Sequence, residues 1–228
     1  MEPLYEDNHL IIVNKKAGEI VQGDKTGDKP LSEEIKQYLK EKYNKPGNVF
    51  CGVVHRIDRP VYGVVVFAKT SKALSRMNEM LRKGEIHKSY LALVEGKVEK
   101  DSDRIESYIV SDGRLNKSFI TSSDTDGAKK SILEYEVIGR GDRYTLLKVY
   151  LLTGRKHQIR LQLSSIGHPI KGDLKYGAKR SNPGGGISLQ ASHIEFIHPV
   201  SKKDISVTAP PLGEFDKFLG LADIDTPN

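Results

Sequence analysis

The sequence predicts an α+β protein with a largely antiparallel, mixed central sheet flanked by helices and loops. Three observations lead there. Strand-like runs follow one another with only a few helical segments between, the pattern of segregated rather than alternating elements. The clearest strand pair, residues 131–138 and 144–152, is joined by Gly139-Arg140-Gly141-Asp142, which has the chemistry of a hairpin turn. No linker is long enough to part the 228 residues, so a single domain over 1–228 is expected.

The elements follow in order. Residues 10–13 make a short apolar strand, ended by Asn14-Lys15-Lys16 and Gly18. A polar, glycine-containing loop spans 24–29. Leu31, Ile35, Tyr38 and Leu39 fall at i, i+4, i+7 and i+8, which predicts a helix over 32–43. Ser32 is its expected cap, and Asn44 with Pro46-Gly47 its stop. Val64 to Ala68 is an apolar run, β-branched at three positions, and reads as a buried strand. A second helix over 72–83 opens at Thr70 or Ser71, buries Leu74, Met77 and Leu81, and ends at Gly84.

Residues 89–94 read as a strand closed by Gly96. Residues 104–110 alternate, with Ile105, Ser107 and Ile109 on one face. The stretch 111–127, rich in Ser, Asp, Thr and Gly, is a hairpin or exposed excursion. After the strand pair a third helix is expected over 156–165. Ile159, Leu163 and Ile166 would face the core, and His157, Arg160 and Ser164 would share another face. Gly167 closes it. A Pro/Gly loop at 182–186, strands at 187–191, 194–197 and 205–207, and a helical turn at 214–219 complete the chain.

Composition narrows the function classes. Hydrophobic residues make up 37% and charged residues 29%, ordinary for a soluble globular protein. No apolar run approaches the roughly 18 residues of a membrane span, and the N-terminus lacks signal-peptide character, so a cytoplasmic protein is expected. Cys51 is the only cysteine, and the seven histidines fall in no metal-ligand pattern; neither a disulfide nor a metal is expected. Net charge is +6, with a pI near 9.2. That favours polyanions but does not by itself single out nucleic acid.

Three segments could carry chemistry. In His55-Arg56-Ile57-Asp58-Arg59 a single carboxylate stands among cations, which favour its ionised form. It reads as a nucleophile or, more blandly, as part of an Arg/Asp network tying a turn; a more distant base can be its partner. Thr153-Gly154-Arg155-Lys156-His157-Gln158-Ile159-Arg160 gathers three cations and a histidine at a helix start, where phosphates also bind. Its bland reading is a solvated basic helix. In Lys88-Ser89-Tyr90, Lys88 and Tyr90 share a strand face; Tyr90 is a core residue or a ring that stacks on a base and exchanges a proton. Residues 166–173, Ile-Gly-His-Pro-Ile-Lys-Gly-Asp, read as structural punctuation.

Together these segments resemble the RluA family of RNA pseudouridine synthases. The resemblance rests on Tyr5 through Gly18, on the central His55-Arg56-Ile57-Asp58-Arg59, and on Lys88-Ser89-Tyr90-Leu91-Ala92-Leu93-Val94-Glu95-Gly96. It continues through Thr153 to Arg160, Gly167-His168-Pro169-Ile170, Gly172-Asp173, Leu189-x-Ala191 and Phe196-x-His198-Pro199. Each motif is weak alone; in this order across nearly the whole chain they are specific.

The resemblance implies the pseudouridine-synthase fold with an RNA-binding cleft. It also implies isomerisation of uridine in tRNA or rRNA: the N1–C1′ bond breaks, the uracil turns, and C5 bonds to C1′. No cofactor or metal takes part. Asp58 would be the nucleophile, with attack on C1′ or on the base left open. Arg160 would pair with Asp58 and orient it, and Tyr90 would stack on the uracil and take the C5 proton. Arg56 would fill the space left by the flipped nucleotide. Leu189 would line the base pocket, and Arg59, Lys88, Arg155, Lys156 and His157 would hold RNA.

Arg59-Pro60-Val61-Tyr62-Gly63 departs from the family's usual x-x-S/T-S-G, and Lys16 and Lys156 replace a usual Pro and Thr. With the signature starting at Tyr5, no N-terminal S4 domain is expected, and the protein is expected to act as a monomer. Two competing readings are an RNA-binding or RNA-folding module that has lost catalysis, motivated by the 60–62 departure, and a glycosidic-bond hydrolase. The second is disfavoured because such hydrolases usually use two carboxylates.

Overall fold

The computed structural model describes residues 1–24 and 27–220, so the expected 24–29 loop lies partly outside the described residues. The strands and helices run β1 (Tyr5–Glu6), β2 (Leu10–Lys15), α1 (Leu31–Lys42), β3 (Gly52–Val53), β4 (Tyr62–Ala68), α2 (Ser71–Lys83), β5 (Ile86–Glu95) and β6 (Ser102–Asp112). There follow β7 (Lys117–Thr121), β8 (Lys129–Arg140), β9 (Tyr144–Leu151), α3 (Gln158–Ser165), β10 (Leu189–Ile197), β11 (Asp204–Thr208) and α4 (Asp216–Leu219). This is the α+β class, with antiparallel pairing at every register described below. The chain forms two compact units, residues 1–88 with 191–209 and residues 89–190 with 210 onward, divided within β5, within β10 and just after β11.

In the first unit the strand order is β1-β2-β4-β10, with β11 beside β10 and β3 beside β4. β2 and β4 are apolar on both faces because both faces are covered. Ile11, Val13, Val65 and Phe67 pack against Leu31, Ile35 and Leu39 of α1. Leu10, Ile12, Val64 and Val66 pack on the other side with Ala73 and Met77 of α2. Thr70 caps α2 by accepting from the Ala73 N–H at 3.1 Å, and Gly84 ends it in the left-handed region. α1 starts one residue earlier than expected. Pro30 takes the extended cap position, and Ser32 lies buried in the first turn without capping it.

The second unit orders its strands β5-β9-β8-β6-β7. Residues 111–121 form the β6–β7 hairpin, with Asp112 opposite Lys117. Leu91, Leu93, Leu146 and Phe215 form a core cluster under the C-terminal helical turn. Helix α3 is fastened by amides. Gln162 Nε2 donates to the carbonyls of Ile105 and Ser131, and Gln158 Nε2 to that of Ile132.

Several expected boundaries move. β2 continues to Lys15, and β8 runs through Gly139 and Arg140 with an irregularity after Val137, so the turn falls at 141–143. Residues 189–197 form one strand rather than two, because Ser192 and His193 stay in register with β11 and its following residues. α3 begins at Gln158, not at 156, and Ile166 is exposed rather than in the core stripe.

Candidate active site

The Asp58 loop belongs to the first unit, and its backbone is set by a lysine. Lys15, the last residue of β2, is 1% exposed. Its ammonium donates to the carbonyls of Lys16 (2.9 Å), Arg59 (3.1 Å) and Val61 (2.7 Å). Burial pushes its pKa down to about 8, with Glu19 and Asp58 pulling the other way. The Asp58 carbonyl accepts from the Val61 N–H at 3.0 Å, so Arg59 and Pro60 form a tight corner. The Gly18 N–H adds a 2.9 Å bond to the Arg59 carbonyl. The unusual Arg-Pro-Val segment is therefore held on several sides.

Gly63 follows at φ 113, opposite Lys15 in the β2–β4 register. A Cβ there would stand 2.1 Å from the Ala191 carbonyl oxygen. Close backbone approach, rather than a turn, is why glycine stands at this position.

Around Asp58, which is half-buried, the expected cations separate by environment. Arg56 and Arg59 are exposed, and Arg59 pairs with Asp28 at 2.6 Å. His55 Nε2 accepts from the Val66 N–H at 3.2 Å, leaving the proton on Nδ1, which has no hydrogen-bond partner among the described residues. Burial, with the Lys88 charge adding to it, pushes His55 down to about 3, so the ring is neutral. Lys88 is half-buried and its pKa is lowered by burial.

The second unit carries Tyr90, Leu189 and the 153–160 cluster. Tyr90 on β5 is 6% exposed and pairs in register with Val149; Leu189 is 3% exposed at the start of β10. Arg155 and Lys156 are exposed. His157 is not on the surface with them. It sits just before α3 in the left-handed region, φ 56, buried, with Nδ1 2.8 Å from the Tyr176 hydroxyl. The expected face of His157, Arg160 and Ser164 exists, but its focus is Tyr176. Ser164 Oγ donates to the Tyr176 carbonyl at 2.5 Å, and the Arg160 guanidinium lies 5.1 Å from the ring centre. Arg160 is 5% exposed and meets Asp173 in two bonds, Nε to Oδ2 at 2.6 Å and Nη2 to Oδ1 at 2.8 Å.

Reading the sequence missed Lys15, Asp173 and Tyr176 as parts of this apparatus. Lys15 looked like the polar end of a strand, and Gly172-Asp173 like punctuation. The available signal was that each lies in or beside a segment that carries the family resemblance.

Residues 9–165 match the family model described as RNA pseudouridylate synthase. The chain belongs to that family. Ribosomal large subunit pseudouridine synthase C of Buchnera aphidicola (subsp. Acyrthosiphon pisum) is 33% identical over 95% of this chain and 69% of its own length. The tRNA pseudouridine synthase C of Haemophilus influenzae is 32% identical, with 92% of each chain covered. Among solved structures, human RNA pseudouridylate synthase domain containing 4 superposes with a TM-score of 0.79 at 20% identity, covering 99% of this chain and 94% of that one. The RNA pseudouridylate synthase fold thus accounts for nearly all of the chain, and the expected RNA isomerase class is the class of its relatives. Among the described residues no helix is long and apolar enough to cross a membrane, and no group of three or more His, Cys, Asp or Glu is placed to hold a metal.

Proposed function

We propose that this RNA pseudouridylate synthase isomerises uridines in tRNA, with rRNA the next candidate, and that Asp58 is its nucleophile. The tRNA preference rests on the Haemophilus relative, which matches over nearly its full length. What supports Asp58 is its environment, a half-buried carboxylate on a loop whose carbonyls are gripped by a buried ammonium. That is the preorganisation a nucleophile needs. Tyr90 and Arg160 act with it, Tyr90 as stacking ring and proton acceptor and Arg160 as its orienting cation. Leu189 lines the base pocket. Arg56, Arg59, Lys88, Arg155 and Lys156 meet RNA, with the exposed ones on phosphates. The reaction needs no cofactor, and the protein works as a cytoplasmic monomer, one catalytic domain over 1–228.

Incubation with unmodified tRNA and rRNA, followed by pseudouridine mapping, tests this. The wild-type protein is expected to modify discrete uridines and Asp58→Ala none. Equal modification by Asp58→Ala would remove the nucleophile assignment. The Pro60-Val61-Tyr62 departure favours one second reading, an RNA-folding module without catalysis. That reading requires RNA remodelling by both proteins and pseudouridine from neither.

A further inference from the structure

We propose that Asp173 and Tyr176 are positioning residues that set the direction of the Arg160 guanidinium. The inference rests on the reading of Arg160 as Asp58's orienting cation. A guanidinium is a planar fork with donors in fixed directions, so holding one edge aims the other. Asp173 takes one edge through Nε and Nη2. The guanidinium carbon stands over the Tyr176 ring, 5.1 Å from its centre. The side chains of Arg160 and Asp173 are 6% and 1% exposed, so water does not compete for these bonds. A buried ion pair contributes little net stability over an apolar pair of similar volume. Direction is what this pair supplies.

The two residues are themselves held firmly. The Asp173 N–H donates to the Ile170 carbonyl, and the Asp173 carbonyl accepts from the Tyr176 and Ala178 N–H groups. Gly172 before it has φ 89, and a Cβ there would stand 2.7 Å from the Asn182 amide. The Tyr176 hydroxyl accepts from the Ser118 N–H at 2.9 Å and meets His157 Nδ1. His157 itself holds a left-handed conformation, φ 56, that residues other than glycine seldom adopt. The turn bearing both residues is laced to β5, the Tyr90 strand, by the Ile170–Val94 bridge and the bond from Lys171 N–H to the Leu93 carbonyl. Arg160 is thereby referenced to the strand that carries Tyr90. Asp173 also balances its charge, so Arg160 offers oriented N–H groups rather than an uncompensated cation.

The test compares Asp173→Asn, Asp173→Glu and Tyr176→Phe with the wild type and Asp58→Ala. Single-turnover isomerisation and RNA affinity are measured on unmodified tRNA and rRNA transcripts, and exchange of the Arg160 Nε–H by NMR on ¹⁵N-arginine-labelled protein. Asp173→Asn is expected to slow the single turnover about 10- to 100-fold, as misplacement of a catalytic group does. Tyr176→Phe, which removes one hydroxyl, is expected to slow it about threefold. RNA affinity should stay within about twofold in both, Asp173→Glu should recover part of the rate, and the Arg160 Nε–H should exchange faster wherever the rate falls. Wild-type rate and exchange in a folded Asp173→Asn protein, or a loss seen only in affinity, would overturn the proposal. If Asp173→Asn does not fold, unchanged rate and exchange in Tyr176→Phe overturn it. If the wild type modifies neither RNA, the functional reading fails, and the Nε–H exchange still passes judgement on the positioning.

Discussion

Lys15 shows how one residue can organise the Asp58 loop. Three carbonyl oxygens from three residues converge on its ammonium, two of them beyond Asp58 in the chain. Lys15→Met keeps the length and apolar stem but leaves those carbonyls without their donor. Loss of about 2 kcal/mol of stability is expected, from desolvated acceptors left unmade. Isomerisation should fall further than the melt, because the Asp58 backbone is no longer fixed. A Lys15→Met protein with wild-type melting and wild-type turnover would show that the ammonium is not the tie. Nothing in residues 10–16 read alone reveals this. A lysine after Leu-Ile-Ile-Val-Asn looks like a strand leaving the core, and its burial depends on carbonyls more than forty positions away.

Elements were legible in proportion to how local their causes are. α1 and α2 follow from apolar residues at helical spacing with stops at their ends, and β4 follows from its apolar run. The joint of β2, β4 and β10 does not. It depends on Gly63 meeting the Ala191 backbone, a contact between strands over a hundred residues apart. Gly63→Ala meets both a disfavoured φ and a backbone oxygen that cannot move aside. The expected cost is about 2–4 kcal/mol, read from the urea midpoint. A loss below about 0.5 kcal/mol would mean the strands part easily there. α3 is the converse case. Its two inward glutamines look polar in sequence, yet they bond to strand carbonyls that only the folded sheet presents.

For the whole molecule, acid is the condition under which the first unit should fail. Burial alone would raise the Glu6 carboxyl; bonds from Lys42, Lys69, Tyr43 and Tyr38 outweigh it and bring the pKa down to about 2. A carboxyl depressed on folding stabilises above its unfolded value, here 4.5, and that contribution is lost as pH falls towards 2. The Glu6 side chain is 7% exposed, but Lys42 and Tyr43 among its partners are exposed, so solvent screens part of this contribution. His55, held neutral by burial down to about 3, acts in the same direction from 6.5 downward, because the unfolded chain takes up the proton first. Urea midpoints measured from pH 7 to pH 3 should fall. His55→Gln should flatten the limb between pH 6.5 and 4.5, and Glu6→Gln the limb below 4.5. Parallel curves for all three proteins would contradict this assignment.

The sequence by itself determined the α+β class, the principal helices, the order of the motifs and the family they belong to, because those depend on local periodicity and on residue identity. It also nominated Asp58, Tyr90 and Arg160. Only the tertiary structure decided which neighbours serve them. Lys15 turns inward to grip the Asp58 loop, His157 leaves the basic surface for Tyr176, and Asp173 rather than a nearer residue takes the edge of Arg160. Each is a buried polar group, and such a group must find its partner wherever the fold presents one. Distance along the chain carries no record of that choice.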